Sequence, residues 1–189
     1  IIHAWFPGEF GGQAIAEALF GDYNPGGRLA VTFPKSVGQI PFAFPFKPGS
    51  DESSETSVYG ALYPFGHGLS YTTFQYSDLA ISPSKQGVQG NISISCTIKN
   101  IGQREGDEVV QLYLRDEVSS VTTYTQVLRG FERITLKPGA SHTVHFELTP
   151  QELGIWDKQM NFTVEPGMFK VMIGSSSKDI RLKGEFEIA

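Results

Sequence analysis

One cysteine, Cys96, is all the thiol this sequence carries, so no internal disulfide can form and the count is silent on redox compartment. No apolar run approaches the roughly 20 residues that span a bilayer, so no membrane span is expected. Positive charge is also short: 15 Lys and Arg face 20 Asp and Glu, for a net charge of −5. That balance removes the basic footprint that nucleic acid or an anionic membrane surface requires, and neutral ligands remain open. His3, His67, His142 and His145 show no ligand spacing with Cys, Asp or Glu, so no zinc site is expected. Gly11-Gly12 and Gly26-Gly27 are not followed by the Lys-Ser/Thr of a phosphate loop, and no cofactor is expected. An initiator methionine is missing too, and Ile1-Ile2-His3-Ala4-Trp5 opens like the middle of a buried strand, as in a segment of something longer.

What is present is the composition of a folded protein: 40% of residues are hydrophobic and 19% charged. The 189 residues divide by pattern into three parts. Residues 1–34 read as strand, loop, helix, turn and strand. The apolar run Ile1 to Phe6 meets Pro7-Gly8, then Ile15, Ala18 and Leu19 recur at helical spacing, and Gly21 is placed to end the helix. Leu29, Val31 and Phe33 then alternate as a strand. One helix and two strands cannot cover both faces of a parallel sheet, so this is an α/β unit whose other layers are expected upstream. Residues 35–70 lose periodicity and gain prolines, which predicts a long irregular connection, called the linker below. Its dense aromatics (Phe42, Phe44, Phe46, Tyr59, Tyr63, Phe65) predict packing on a neighbouring domain, and only Ser50 to Ser57 reads as mobile.

Residues 71–189 show short strands of period two, the signature of an antiparallel sandwich. Inward sets are Leu79 and Ile81; Ile92, Ile94, Cys96 and Ile98; Val110, Leu112 and Leu114; Val144, Phe146 and Leu148; Phe162 and Val164; Phe169, Val171 and Ile173. Within them Cys96 is a small core residue rather than a nucleophile. Outward positions carry Thr97, Lys99, Gln111, Tyr113, Arg115, Thr143, His145 and Glu147. Lys137-Pro138-Gly139 and Glu165-Pro166-Gly167 predict type II turns, and Thr149-Pro150-Gln151-Glu152 predicts a capping box on one helical turn. About seven strands in this length fit a mainly β, immunoglobulin-like or fibronectin type III-like fold.

Three stretches carry a resemblance. The first is Ala4-Trp5-Phe6-Pro7-Gly8-Glu9-Phe10-Gly11-Gly12 with Asn24-Pro25-Gly26-Gly27-Arg28-Leu29 and Thr32-Phe33-Pro34. The second is Tyr63-Pro64-Phe65-Gly66-His67-Gly68-Leu69-Ser70-Tyr71-Thr72. The third is dispersed: Gly106-Asp107-Glu108-Val109-Val110-Gln111-Leu112-Tyr113, Leu128-Arg129-Gly130-Phe131, Trp156-Asp157 and Glu165-Pro166-Gly167. In this order they resemble the C-terminal end of family 3 glycoside hydrolases, the β-glucosidases and β-xylosidases.

The resemblance implies an exo-acting β-glycosidase, with β-glucosidase the leading activity, acting on terminal non-reducing residues of β-linked oligosaccharides. It implies that residues 1–34 are the incomplete end of an α/β-sandwich domain, 35–70 an interdomain linker and 71–189 a fibronectin type III-like domain, with partners in the upstream catalytic domains of the same polypeptide and a periplasmic or secreted location. It also implies that no catalytic residue lies here: the nucleophile Asp and the acid/base Glu are expected upstream of this chain. A homo-oligomer stays open, as do the sugar and the substrate-binding residues. Glu9, before a helix, is read as a helix N-terminal carboxylate and His67 as a packed turn residue. Trp5 and Trp156 are read as buried in core or interface. Asn91-Ile92-Ser93 and Asn161-Phe162-Thr163 fit the glycosylation pattern within strands and are read as chance matches. The alternatives to an accessory domain are a carbohydrate-binding module and a protein-interaction sandwich. One aromatic among the outward strand positions argues against sugar binding.

Overall fold

The computed structural model describes residues 1–50, 52–53 and 58–189. Helix α1 runs from Gly11 to Phe20 and ends at Gly21 in the left-handed region, as its sequence predicts. The strand expected over Ile1 to Phe6 does not form; the segment is irregular, and Ile1 and Phe6 are fully exposed. A strand needs a neighbour to take its backbone hydrogen bonds, and among the described residues none lies alongside. The strand expected over Leu29 to Phe33 shrinks for the same reason to β1, Phe33–Pro34.

Among the described residues, the linker holds a single 3-10 turn, Val37–Gln39, and three short strands: β2 (Glu52–Ser53), β3 (Val58–Tyr59) and β4 (Ala61–Tyr63). Strand β4 pairs antiparallel with β1, so the linker supplies the partner that residues 1–34 lack. Of the stretch Ser50 to Ser57, only Ser50, Glu52 and Ser53 fall within the described residues.

From Phe74 the chain forms β5 (Phe74–Ser82), β6 (Lys85–Gln86), β7 (Ile92–Asn100), β8 (Gly106–Asp116), β9 (Val127–Leu136) and β10 (Ser141–Leu148). Helical turn α2 (Pro150–Leu153) follows, then β11 (Ile155–Trp156), β12 (Phe162–Thr163), β13 (Gly167–Gly174) and β14 (Ile180–Ile188). One sheet has the order β10-β7-β5 and the other β6-β14-β13-β8-β9, while β11 and β12 form a separate hairpin. All pairs are antiparallel except the short contact of β6 with β14.

The core lies between these sheets. Ile92, Ile94, Cys96 and Ile98 of β7 have no exposed surface and share one cluster with Val110, Leu112 and Leu114 of β8. Phe169 and Phe186 stack within it at 5.4 Å. Burial pushes the Cys96 thiol up to about 11, which suits a core atom and not a nucleophile.

Three expectations need correction. Phe162 is exposed rather than inward, because β12 is only two residues long and lies outside both sheets. Gly139 takes a positive φ of 78°, but Gly167 does not; it opens β13, whose ladder to β14 demands extended backbone. Trp5 and Trp156 are 58% and 60% exposed.

The capping box is present: Gln151 N donates to Thr149 Oγ1 and Thr149 N donates to Glu152 Oε2 at 2.8 Å. The Thr149 hydrogen bond holds the Glu152 carboxyl below its ordinary value. A depressed carboxylate contributes stability above its unfolded pKa and loses it as pH falls through the folded one. Thr149→Ala is therefore expected to cost about 1 kcal/mol in urea unfolding at neutral pH. The difference from the parent should narrow as the pH falls below the ordinary carboxylate range and through the lowered folded pKa of Glu152, beneath which the carboxyl is protonated in both.

Candidate functional site

The most heavily bonded polar region lies where residues 1–70 meet the sandwich. Its first tie is Asn24. Asn24 Oδ1 accepts from Tyr71 N at 2.8 Å and Ser70 Oγ at 3.1 Å, while Asn24 Nδ2 donates to the Glu105 carbonyl at 2.9 Å. The end of α1 is held by Tyr71 OH donating to the Ala18 carbonyl and by Arg104 Nη1 donating to the Gly21 carbonyl. A C-terminal carbonyl has no partner inside its helix, so these bonds satisfy groups that would otherwise be orphaned.

At the centre, Arg28 Nη2 meets Glu108 Oε1 at 2.8 Å, with side chains only 7% and 5% exposed. Glu108 sits two residues before Val110 on the inward face of β8, so the pair closes the mouth between the sheets. Burial raises the Glu108 carboxyl, and the Arg28 charge and hydrogen bond offset that only in part. Arg28 Nε has no hydrogen-bond partner, and neither does the nearby hydroxyl of Tyr76, which burial keeps protonated.

The other face of β8 is covered by the linker. Gly66 N donates to the Leu29 carbonyl at 2.7 Å, and Leu29 N donates to the His67 carbonyl at 2.9 Å. Gln111 Nε2 donates to the carbonyls of Gly66 and Ser175, and its Oε1 accepts from Tyr113 OH. Gly66 has a φ of 81°, and a methyl group there would overlap the Gln111 amide. Only glycine therefore lets the linker reach this side chain. Phe44 stacks on Phe65 at 4.6 Å and meets Tyr113 edge-on at 5.7 Å. Ser177 N donates to the Phe65 carbonyl and Thr125 N to the Phe46 carbonyl.

These contacts overturn one part of the sequence reading. Gln111 and Tyr113, expected outward, are buried, because the aromatic linker packs on that face. Alternation alone cannot reveal a third layer; the dense linker aromatics were the available signal. Glu108 was not singled out, although a carboxylate two residues before an inward valine points to a buried partner. His67 is the packed turn residue expected, stacked on Tyr63 at 5.2 Å. Glu9 is exposed and lies before Phe10, the residue preceding α1, so it does not cap the helix. His3 packs edge-on against Trp5 and Phe33. Asn91 and Asn161 stand just before β7 and β12 rather than within them, and both are exposed. Among the described residues no three His, Cys, Asp or Glu gather as a metal site.

Fold and interface together define a fibronectin type III-like sandwich clasped to the end of a preceding unit. Residues 108–177 match the fibronectin type III-like domain, and residues 1–71 match the glycosyl hydrolase family 3 C-terminal domain. The chain belongs to glycoside hydrolase family 3. It is 44% identical to a periplasmic β-glucosidase of Salmonella typhimurium, aligned over 100% of this chain and 26% of that protein. It is 43% identical to a β-xylosidase of Formosa agariphila, over 97% of this chain and 26% of that protein. A β-glucosidase structure from Erythrobacter marinus superposes with a TM-score of 0.92 at 40% identity, covering 98% of this chain and 25% of that one. The chain thus spans about a quarter of the length of these relatives.

Removing Arg28 would leave the Glu108 carboxylate buried and unpaired. Arg28→Ala is expected to destabilise by about 3–5 kcal/mol at neutral pH in denaturant unfolding. Glu108→Leu added to it should recover part of that loss. An acid whose folded pKa is raised loses stability as pH rises through that value, so the Arg28→Ala deficit should shrink toward acid pH.

Proposed function

We propose that this chain is the non-catalytic C-terminal part of an exo-acting β-glycosidase, with β-glucosidase the leading activity. The upstream domains of the same polypeptide supply the Asp nucleophile and the Glu acid/base. The observation that carries the reading is the exposed apolar surface of residues 1–40 in a chain a quarter the length of its relatives. Ile1, Trp5, Phe6, Phe10, Phe20 and Val37 all lie open to solvent on irregular backbone, on α1 or on the 3-10 turn. Such a concentration on a folded protein marks a surface that another element covers. The sandwich then acts as a buttress: the Arg28–Glu108 pair and the linker fix residues 1–34 so that this apolar side faces the catalytic domains. The substrate of the whole protein is a β-linked oligosaccharide. A periplasmic or secreted location is favoured by the name of the Salmonella typhimurium relative.

The domain division follows the same logic. Residues 1–34 close the α/β-sandwich domain, 35–70 link, and 71–189 form the fibronectin type III-like domain. The core cluster between the sheets contains no residue before Phe74. A chain cut to residues 71–189 is therefore expected to unfold cooperatively by calorimetry, at a lower temperature than the full chain because Glu108, Gln111 and Tyr113 lose their cover. A non-cooperative, molten transition would place both parts in one core.

Hydrolysis with retention needs two carboxyl groups about 5–5.5 Å apart across the scissile bond, one nucleophile and one acid. The isolated 189-residue chain is expected not to release nitrophenol from aryl β-glucosides or β-xylosides. Turnover above buffer that disappears on changing Glu9 or any other carboxylate of the chain would overturn the assignment.

A further inference from the structure

Trp156 and Phe162 stand directly across from one another in the β11–β12 hairpin, with ring centroids 5.5 Å apart at 61°. They are 60% and 46% exposed, yet neither is loosely held. Asp157 Oδ1 accepts from the backbone N–H groups of Gln159 and Asn161, which fixes the turn between them. Gly154 lets the Phe162 ring lie against the backbone, since a methyl group at 154 would overlap that ring. An exposed aromatic pair pinned by its own backbone has already lost the freedom that binding would otherwise remove.

An open groove of about 760 Å³ runs along this pair. The side chains of Trp156, Phe162 and Val88 give it an apolar floor, while Gln89, Gln151 and Thr163 give it neutral hydrogen-bonding groups. None of its lining residues is ionisable. Trp156 also borders a smaller groove of about 250 Å³ that contains Asp116, Tyr124, Arg129 and Glu152. A floor of aromatic and aliphatic carbon with an amide and hydroxyl rim suits a neutral ligand with one apolar face and a polar edge. The C–H face and hydroxyl rim of a pyranose have that form. The carboxylates and guanidinium beyond Trp156 would meet hydroxyls of the next ring.

Among the described residues, none before Val88 lines the groove. Residues 1–34 dock on Arg104, Glu105 and Glu108, at the start of β8, whereas Trp156 shares its smaller groove with Asp116, at the far end of that strand. Strand β8 has 11 residues, so the two ends stand about 30 Å apart. The sequence argument against sugar binding rested on the outward faces of the long strands; the exposed aromatics lie on the hairpin instead.

We propose that the Trp156–Phe162 hairpin is a carbohydrate-binding site of the sandwich that stacks on pyranose rings of neutral glycans, β-linked ones where this rests on the function proposed above. The test is calorimetric titration of the 189-residue chain with cellohexaose, laminarihexaose and xylohexaose. Saturable binding to at least one sugar is expected, weakened roughly tenfold or more by Trp156→Ala and by Phe162→Ala. Trp5→Phe should leave it unchanged. Near-UV circular dichroism and the unfolding temperature confirm that each variant is folded; should one fail, the other still decides. Absence of saturable heat with all three sugars overturns the proposal, as does binding that survives both alanine variants. A dimer seen by sedimentation that Trp156→Ala dissociates, without sugar binding, would assign the face to a second copy instead.

Discussion

A guanidinium and a carboxylate held out of water at the mouth of the sandwich organise everything around them. Taking each charge out of water costs several kcal/mol, so Arg28 and Glu108 are tolerable there because most of their remaining hydrogen-bonding capacity is met, Arg28 Nε excepted. Glu108 Oε1 accepts a second bond from Val109 N at 2.9 Å, and Arg28 Nη1 donates to the carbonyls of Gly26 and Gly27. The Asn24 to Gly27 turn is thus shaped by the need to bring those carbonyls to the guanidinium. A lysine could not replace it, because one ammonium cannot reach the carboxylate and two backbone carbonyls in the planar fork that arginine offers.

The pair also explains why β8 is buried on both faces. Its inward side ends in Glu108, which draws residues 24–29 over the open end of the sheets. Those residues bring the Leu29 backbone beside Gly66 and His67, and the linker is thereby laid across the opposite face on Gln111 and Tyr113. Tyr113 is fully buried although it lies on the outer side of a sheet. The structure is therefore three layers deep along this strand, with the linker as the third. The Phe46 and Phe65 carbonyls accept from Thr125 N and Ser177 N, so this segment is fixed to the sandwich by main chain as well as by side chains.

The inward faces of β5, β7, β8, β10 and β13, the α1 terminus at Gly21 and the capping box at Thr149 were legible in the sequence because each depends on neighbours within a few residues, whereas β9 and β14 had no inward set in that reading. The misreadings share one cause: they depend on what lies across space. Ile1 to Phe6 has the composition of a strand but no neighbour here to pair with. Gln111 and Tyr113 alternate outward and are covered by a segment some fifty residues earlier. Phe162 and Trp156 are hydrophobic and alternate, yet their strands are too short to enter either sheet. Period and composition give the face a side chain takes, but not whether another layer comes to meet it.

That distinction separates the two kinds of exposed apolar surface in this molecule. Phe6 and Trp5 are exposed on backbone that belongs to no ladder or helix, so both side chain and main chain there await a partner. Trp156 and Phe162 are exposed on backbone whose ladder is complete and whose turn is closed by Asp157. The first surface is unfinished and fits permanent burial against further protein, since unpaired main-chain groups favour structure that supplies hydrogen bonds in series. The second needs no folding partner; what it lacks is only something to cover two rings. A reversible ligand meets that lesser requirement, and it explains why the rings are held in place by Gly154 and the hairpin turn instead of being drawn into the core.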